Sequence, residues 1–590
     1  MTTPHPGQLY DDGHTNRYLL DGPWEFRLGS VGTWTTVTVP NAWNATDTSV
    51  ASMRGTVGWY RKDFRLPHAG KGTTWILRFE SVSYRATVYL NGHVVGKHEG
   101  GYIPFEVPLT HGVRKGVNHL LMRVDNRRTL DSLPPLKTST TGLPTAGWWN
   151  YGGILREVYL RPVSKVDMLD FLARPTLPCR TCPATVLLQA TLHNMTGHKQ
   201  VVTVRASVGG QTTRLPKVAL GPGATRIVAT KVGISHPRLW WPGVSPEPLY
   251  PVTAAALVGG RLAAGWSAHI GIRSIRVTHQ GRLLINGQPM SLRGASFHEE
   301  DVTVGAALTP EMRQSIWQAL MGLGSTMTRA HYPLHPWFLE QADRDGVMVW
   351  DEIPAYQLPN SVTDKTSVRS KALNYLRATV LRDQNHPSVL TWSIGNEMPT
   401  RVGTGQQRYI RDAAHLLHAM DPTRLRALDY SGYPNSVPSS TYHVLDALGV
   451  NCYFGWYPGP GGQLDDRSAL GPFLNLVHSY YPTKALFVTE FGAEANRLGP
   501  IDEKGTYDFQ RQLLEDHLAV YASKPFVNGA LIWALRDFRV RPNWDGGNPK
   551  PDSPLNQKGL EDETGKPKPA YLAAERIFHD SPVPAVAARR

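Results

Sequence analysis

Two glutamates in the second half of this 590-residue chain each close a short apolar run: Glu397 in Ser393-Ile394-Gly395-Asn396-Glu397, and Glu490 in Val488-Thr489-Glu490-Phe491-Gly492. Carboxyls paired in this way suit the chemistry of an acetal linkage between sugars. The leaving oxygen must be protonated and the oxocarbenium-like carbon captured, which two carboxyl groups about 5–5.5 Å apart achieve with retention of configuration. One group must hold a proton near neutrality while its partner is ionised. Like charge across the gap raises one pKa and supplies that split. Taken singly, a glutamate at a strand end is more often solvated or ion-paired, so the pairing carries the meaning.

The elements that must position the pair recur from about residue 288 onward. Eight apolar or β-branched runs alternate there with helix-length segments: 291–294, 326–329, 347–350, 389–392, 425–428, 449–453, 486–489 and 530–533. Eight strands alternating with helices is the count that closes a (β/α)8 barrel. Glu397 then ends the fourth strand and Glu490 the seventh, and the C-terminal strand ends of such barrels share one mouth. Helix signals agree. Thr309 reads as an N-cap with Pro310 at the first helical position, Met312, Ile316, Ala319, Leu320 and Leu323 follow at helical spacing, and Gly324 ends the run. A second such unit runs from Pro336 to Gly346.

The ordered motifs resemble the family-two glycoside hydrolases, which include β-glucuronidases, β-galactosidases and β-mannosidases. They are Gly294-Ala295-Ser296-Phe297-His298-Glu299, Arg329-Ala330-His331-Tyr332-Pro333, Trp350-Asp351-Glu352, Arg382 to Val389 leading into Gly395-Asn396-Glu397, Asn451 to Tyr457, Thr489-Glu490-Phe491-Gly492, and Trp533. The resemblance implies that Glu397 is the acid/base and Glu490 the nucleophile. It implies that Asn396 binds the sugar 2-hydroxyl, that Tyr453 donates to the nucleophile, and that His331, Asn451 and Trp533 line the glycone pocket. Read from residue type alone, Trp533 is equally a core residue and His331 a satisfied polar group beneath a loop. Catalysis of this kind uses no organic cofactor and no metal; Asp351 and Glu352 are expected as hydrogen-bond partners at the barrel mouth.

Ahead of the barrel the pattern is β throughout. Residues 1–163 alternate short strands with turns, among them 24–27, 59–66, 75–79, 86–90, 120–124 and 157–160, and Asn91-Gly92 marks a two-residue hairpin. This predicts a jelly-roll β-sandwich. Residues 164–275 repeat the pattern over a shorter span that suits an immunoglobulin-like sandwich, with strands at 185–191, 201–208, 227–232 and 252–258. A hairpin at 284–290 opens the barrel domain, residues 276–590. The same three-domain order is the family's, and the sandwiches of relatives commonly supply subunit contacts, so the resemblance implies a homo-oligomer.

The start, Met1-Thr2-Thr3-Pro4-His5-Pro6, has neither a basic segment nor an apolar one, and no apolar run reaches membrane-spanning length. The expectation is a cytoplasmic protein with no membrane partner; a chain trimmed of a secretion signal would read the same. Cys179 and Cys182 form a C-x-x-C flanked by prolines, with strands following, which reads as a local disulfide or two thiols. Cys452 reads as strand filler. Net charge is +14 at pH 7, yet the basic residues are scattered and no nucleic-acid-binding motif appears. Positive potential drawing acidic glycans toward the mouth is the functional reading of that charge.

The sugar is the open question. Asn556-Gln557-Lys558-Gly559, followed by Lys566-Pro567-Lys568, resembles the Asn-x-Lys element with which β-glucuronidases hold a uronate carboxylate, an ammonium and an amide aimed at one anion. A second Asn-x-Lys, Asn548-Pro549-Lys550, lies just ahead. Two departures stand against a uronide. Where β-glucuronidases carry an Asp shortly before Asn-Tyr-x-Gly-Ile, the chain reads Gly147-Trp148-Trp149-Asn150-Tyr151-Gly152-Gly153-Ile154, and a basic residue that usually precedes their Asn-x-Lys is missing, with Asp552 close to its place. A β-glucuronidase is the first expectation. A β-galactosidase-like or β-galactofuranosidase activity, a β-galacturonidase, and a non-catalytic carbohydrate-binding protein are the alternatives.

Overall fold

The eight expected strands close into a barrel, parallel at every junction: β1 Leu292–Ser296, β2 Met327–Arg329, β3 Met348–Glu352, β4 Val389–Asn396, β5 Leu425–Ser431, β6 Ala447–Asn451, β7 Ala485–Phe491 and β8 Val527–Trp533. The computed structural model describes residues 3–581, apart from 68–71, 111, 432–437 and 463. Every residue of β4 is buried, as it must be in a strand covered by helices outside and by packed side chains within. Inside the barrel, Leu292, Met327, Trp350, Leu390 and Phe487 form one cluster with Leu283 and Ile285 of the hairpin that precedes β1. That hairpin turns on Asn286 and Gly287, both at positive φ, and Leu283 N donates to Asn528 Oδ1 at 2.8 Å, so it seals the N-terminal end of the barrel. With that end sealed, access is from the opposite end.

The helix signals land where the sequence puts them. α1, Pro310–Gly322, begins at Thr309, whose side chain accepts from Met312 N. α2, Pro336–Asp345, ends on Gly346 at φ 66°.

Above and beside the barrel lie two sandwiches. The first pairs a six-stranded sheet containing Gly22–Leu28, Val57–Arg65, Arg85–Leu90 and Val117–Asp125 with a five-stranded sheet containing Thr73–Phe79, Phe105–Leu109 and Val158–Ser164. Trp24, Phe64, Leu77, Val88 and Leu160 fill the space between them. Asn91-Gly92 makes the expected turn, with φ 49° and 89°. A one-turn helix at Val50–Arg54, capped by Ser49, was not legible in the pattern because five residues are too few to show a period. Buried polar contacts dock this sandwich onto the barrel mouth: the ion pairs Arg156 to Glu299 at 2.9 Å and Arg313 to Glu157 at 3.0 Å, and a hydrogen bond between His335 Nε2 and Glu157 Oε2 at 2.7 Å.

The second sandwich sets Val166–Thr176, Ala184–Asn194 and Thr225–Ile234 against a sheet built on Gln200–Val208, Tyr250–Val258 and Arg261–Ile270. Val166–Thr176 escapes sequence pattern because both its faces are covered. Its polar Asp170 is buried and takes Gln384 Nε2 at 2.9 Å from the barrel, so the apolar–polar alternation of a half-exposed strand is lost. Cys179 and Cys182 are joined as a disulfide in the loop that follows. Among the described residues no helix is long and apolar enough to cross a membrane.

Asn385 clamps this strand to the barrel, accepting from Ala173 N and donating to Phe171 O, both at 2.8 Å. Asn385→Ala strands two buried backbone groups at a cost of about 2–4 kcal/mol. The expected result is a lower Tm together with faster amide exchange at Ala173; unchanged exchange there would mean that the clamp does not hold the domains together.

Candidate active site

Gly395 has φ 154° and its Cα hydrogens face Ala355 O, where a Cβ would come within 2.7 Å. The chain can therefore bend inward at the end of β4 only with glycine at this position. Two residues later Glu397 is held at φ 47°, a left-handed conformation uncommon for a non-glycine residue, with its N–H on Asp429 O at 2.8 Å. This turn carries the Glu397 carboxyl into the mouth. Its Oε1 accepts from Asn451 Nδ2 at 3.1 Å and its Oε2 from Gln357 Nε2 at 2.8 Å.

Glu490 projects from β7 and is 5% exposed. Oε1 accepts from Arg329 Nη1 at 2.9 Å, with His331 Nε2 at 3.4 Å, and Oε2 accepts from Tyr453 Oη at 2.8 Å. The two carboxyls are connected by a continuous run of hydrogen bonds. Arg329 Nη2 donates to Asn396 Oδ1 at 2.7 Å, and Asn451 Nδ2 bridges Asn396 Oδ1 and Glu397 Oε1, both at 3.1 Å. Asn451 is itself oriented by Thr489 Oγ1 at 2.9 Å. The Asn396 Nδ2 donors are buried and have no partner among the described residues, which leaves them for a ligand hydroxyl.

Beneath these groups Arg329 also pairs with Glu352, Nη2 to Oε1 at 3.2 Å, and lies 3.8 Å from Asp429 Oδ2. Burial disfavours its charge, but Glu352, Asp429 and Glu490 more than offset this and hold it above the usual guanidinium range. Burial pushes Asp429 up to about 8, against the pull of Arg329. Burial, and then the Arg329 charge, hold His331 well below the ordinary imidazole range and therefore neutral.

These groups open onto a cavity of about 180 Å3. Of the residues singled out in the sequence, Glu397, Glu490, His331, Asn451, Tyr453, Trp533, Asn556 and Lys558 all line it, and Asn396 lies in the hydrogen-bond run along its floor. Trp533 sets its ring 4.7 Å from that of His331. Lys558 is 2% exposed and donates to Tyr457 Oη at 2.9 Å and Gly546 O at 3.3 Å, with Glu494 Oε1 at 3.4 Å. The rival Asn548-Pro549-Lys550 is elsewhere: Lys550 is 71% exposed and faces Glu503. Cys452 is buried in the core.

One expectation is corrected. Glu352 serves the mouth as expected, but Asp351 does not; alternation along β3 turns it to the outside of the barrel, against Asp383 and Arg382. Several lining residues were not foreseen: Trp148 from the first sandwich, Tyr356 and Gln357 after β3, and Trp544 after β8. All sit in loops, where no period exists to betray them. Gln357 could have been suspected only from the run of β3 onward beside β4, where Gln357 N reaches Asn396 O at 2.7 Å. Among the described residues no cluster of His, Cys, Asp or Glu could hold a metal ion.

Residues 275–546 match the family described as glycosyl hydrolases family 2, TIM barrel domain, and residues 19–163 the family's sugar binding domain. A beta-glucuronidase of Bacteroides fragilis is 27% identical to this chain, with 92% of this chain and 78% of the relative aligned. The beta-glucuronidase of Mus musculus is also 27% identical, over 97% of this chain and 92% of its own. Among solved structures, a GH2 beta-galacturonidase from Eisenbergiella tayi bound to galacturonate superposes with a TM-score of 0.85 at 24% identity, over 98% and 99% of the two chains.

Like charge was expected to raise the carboxyl that acts as acid; the raised group is instead Glu490, the residue the resemblance makes the nucleophile, and burial is the main cause. Its burial lifts it to about 8, opposed by the Arg329 guanidinium and by the hydrogen bonds from Arg329 and Tyr453, with Glu397 adding to the rise. A carboxyl that must ionise in order to attack gives a rate that climbs with pH as its proton leaves. Tyr453→Phe removes a donor that favours the charged form, so the pKa rises and the acidic limb of kcat/KM moves to higher pH by about one unit. A pH profile on an aryl β-glycoside checks this; a loss of rate with the limb unmoved would remove Tyr453 from the control of Glu490.

Proposed function

The chain belongs to glycosyl hydrolase family 2, and from that premise we propose an exo-acting, retaining enzyme whose preferred substrates are β-glucuronides. It is a glycoside hydrolase. Glu490 attacks the anomeric carbon while Glu397 gives its proton to the departing glycosidic oxygen, leaving a glycosyl ester on Glu490 and a free alcohol. Glu397, now a carboxylate, takes a proton from water as that water attacks the same carbon, and Glu490 leaves with the ester electrons. Two inversions return the β configuration.

Each remaining group has a part in this reading. Asn396 Nδ2, lacking a partner, donates to the 2-hydroxyl, a contact that strengthens as charge develops at the neighbouring carbon. Tyr453 and Arg329 steady the Glu490 carboxylate as it forms and breaks its bond to sugar. Trp533 offers a flat apolar face to the ring. A cavity of about 180 Å3 with a sealed barrel end suits one terminal sugar and does not thread a polymer.

The observation that carries the glucuronide reading is Lys558, a buried ammonium at the cavity with Asn556 beside it. The beta-glucuronidases of B. fragilis and mouse lend support by likeness along nearly the whole chain. A neutral galactoside is the second reading, favoured by one feature: Lys558 already faces the Glu494 carboxylate.

Initial rates on aryl β-D-glucuronide, β-D-galacturonide, β-D-galactoside and β-D-galactofuranoside decide between these readings. The glucuronide is expected to lead, with Lys558→Gln lowering kcat/KM for uronides by roughly 10²-fold and for neutral sugars by little. A neutral sugar in the lead would make Lys558 structural. Glu490→Gln is expected to lose roughly 10⁴-fold or more on every substrate. Glu397→Gln should spare the first step for a leaving group that departs without protonation, such as dinitrophenolate, and lose it for an alkoxide. The opposite pattern would exchange the two roles.

A further inference from the structure

Asp429, on β5, has no exposed surface and so cannot touch a substrate, yet it reaches the supports of both reacting carboxyls. Its main-chain oxygen accepts from Glu397 N at 2.8 Å, and its Oδ2 lies 3.8 Å from Arg329 Nη2. A buried carboxyl in that place can act only through its neighbours.

The direction of the surrounding hydrogen bonds is fixed from Arg329 outward. A guanidinium only donates, so the Asn396 atom that meets Arg329 Nη2 at 2.7 Å is the amide oxygen. Asn451 meets the same oxygen at 3.1 Å and must present its NH2 group, which also reaches Glu397 Oε1 at 3.1 Å. The Asn451 oxygen therefore faces Thr489, and Thr489 spends its one hydroxyl proton there, at 2.9 Å. Only lone pairs are left on Thr489 Oγ1 for any further neighbour.

That neighbour is Asp429 Oδ1. Gly449 of β6 lies between β5 and β7, and a Cβ on it would fall 1.8 Å from Asp429 Oδ1 and 2.6 Å from Thr489 Oγ1, so the missing side chain lets the two oxygens face each other. Oδ1 has no donor among the described residues, while Oδ2 accepts from Trp350 Nε1 at 2.8 Å and Ser393 Oγ at 2.9 Å. An ionised Oδ1 would set lone pairs against lone pairs away from solvent; a protonated one donates to Thr489. Charge balance points the same way. Arg329 turns Nε and Nη2 to Glu352 and Nη1 to Glu490, so two carboxylates already meet its charge before Asp429 is counted. We propose that Asp429 is a positioning residue for the acid step: its carboxyl stays protonated, donates from Oδ1 to Thr489 Oγ1, and through Thr489 and Asn451 fixes the amide that holds the Glu397 carboxyl. The assignment rests on the role given to Glu397 above but not on the identity of the sugar.

Asparagine at 429 reproduces the pattern, its NH2 on Thr489 and its oxygen on Trp350 and Ser393, whereas leucine keeps the bulk and offers neither. Rates are compared on an alkyl β-glycoside, whose alkoxide needs the Glu397 proton, and on a dinitrophenyl β-glycoside, which does not, with Tm measured for each variant. Thr489→Val and Asp429→Leu are expected to lose roughly 10- to 100-fold in kcat/KM on the alkyl glycoside and about three-fold or less on the dinitrophenyl one. Asp429→Asn should restore the alkyl rate to within about three-fold of the wild type. The infrared difference between wild type and Asp429→Asn at neutral pH should contain the C=O band of a protonated carboxyl. A carboxylate band in its place, equal losses on the two glycosides in Thr489→Val, or an Asp429→Asn variant as slow as Asp429→Leu would overturn the proposal. The infrared comparison needs no turnover, so failure of the glycosidase reading and failure of this one are read separately.

Discussion

Arg329 has no exposed surface, and a cation so placed survives only because Glu352 and Glu490 meet it directly and Asp429 lies close by. The rest of the mouth is arranged around that requirement. Asp429, raised by its burial, accepts on one oxygen from Trp350 Nε1 and Ser393 Oγ. Gly449 on β6 leaves the space Asp429 occupies; a Cβ there would fall 1.8 Å from Asp429 Oδ1. Removing one partner from such a cluster leaves uncompensated charge and costs about 3–5 kcal/mol. The cluster is therefore under strong physical constraint even before any substrate is considered. Catalysis uses that rigidity: Arg329 fixes one oxygen of Glu490 and the amide of Asn396 with two nitrogens of one planar group.

Such a floor needs a roof from elsewhere in the chain. Strand ends in a barrel supply carboxyls and amides, but the walls of this cavity come partly from the first sandwich, through Gly147 and Trp148. Their position depends on how the sandwich docks, and the docking surface is polar: Arg156, Glu157, Glu299, Arg313 and His335 pair across it under near-complete burial. Apolar packing alone would allow sliding, whereas directional ion pairs admit one seating. The distance between a substrate's reacting carbon and its far edge is thereby set by two domains together.

How much of this was legible follows from where periodicity exists. The barrel could be counted because each strand is a short apolar run between helices, and Glu397 and Glu490 stood out as charged residues closing two of those runs. Arg329 occupies the same position on β2, yet nothing in the sequence distinguishes a hub from a solvated arginine. The choice between Lys558 and Lys550 was open in sequence because two Asn-x-Lys elements lie eight residues apart; loop conformation buries one and exposes the other. Trp148, Gln357 and Trp544 owe their places in the cavity wall to loop paths with no repeat. The direction of Asp351 was misjudged for a different reason. Adjacent strand residues point to opposite faces, so Asp351 and Glu352 could never both reach the mouth.

The glycone end of the pocket poses the same problem of a buried cation as the floor, and solves it in the same way. Burial disfavours the charge on Lys558, but Tyr457 and Glu494 together raise its pKa above the ordinary lysine value. Tyr457 and Glu494 thus both favour a charged Lys558 in the absence of sugar, and the presence of Glu494 alone does not argue against an anionic substrate. It does change what recognition means. The Lys558–Glu494 pair carries no net charge, so a carboxylate arriving at C6 gains little from long-range attraction. In the proposed reading it gains instead from nearness to the ammonium and from the Asn556 amide and Tyr457 hydroxyl beside it. Selectivity at this end then depends, in the proposed reading, on angstrom-scale placement of the ring against the Trp533 face and the Asn396 amide.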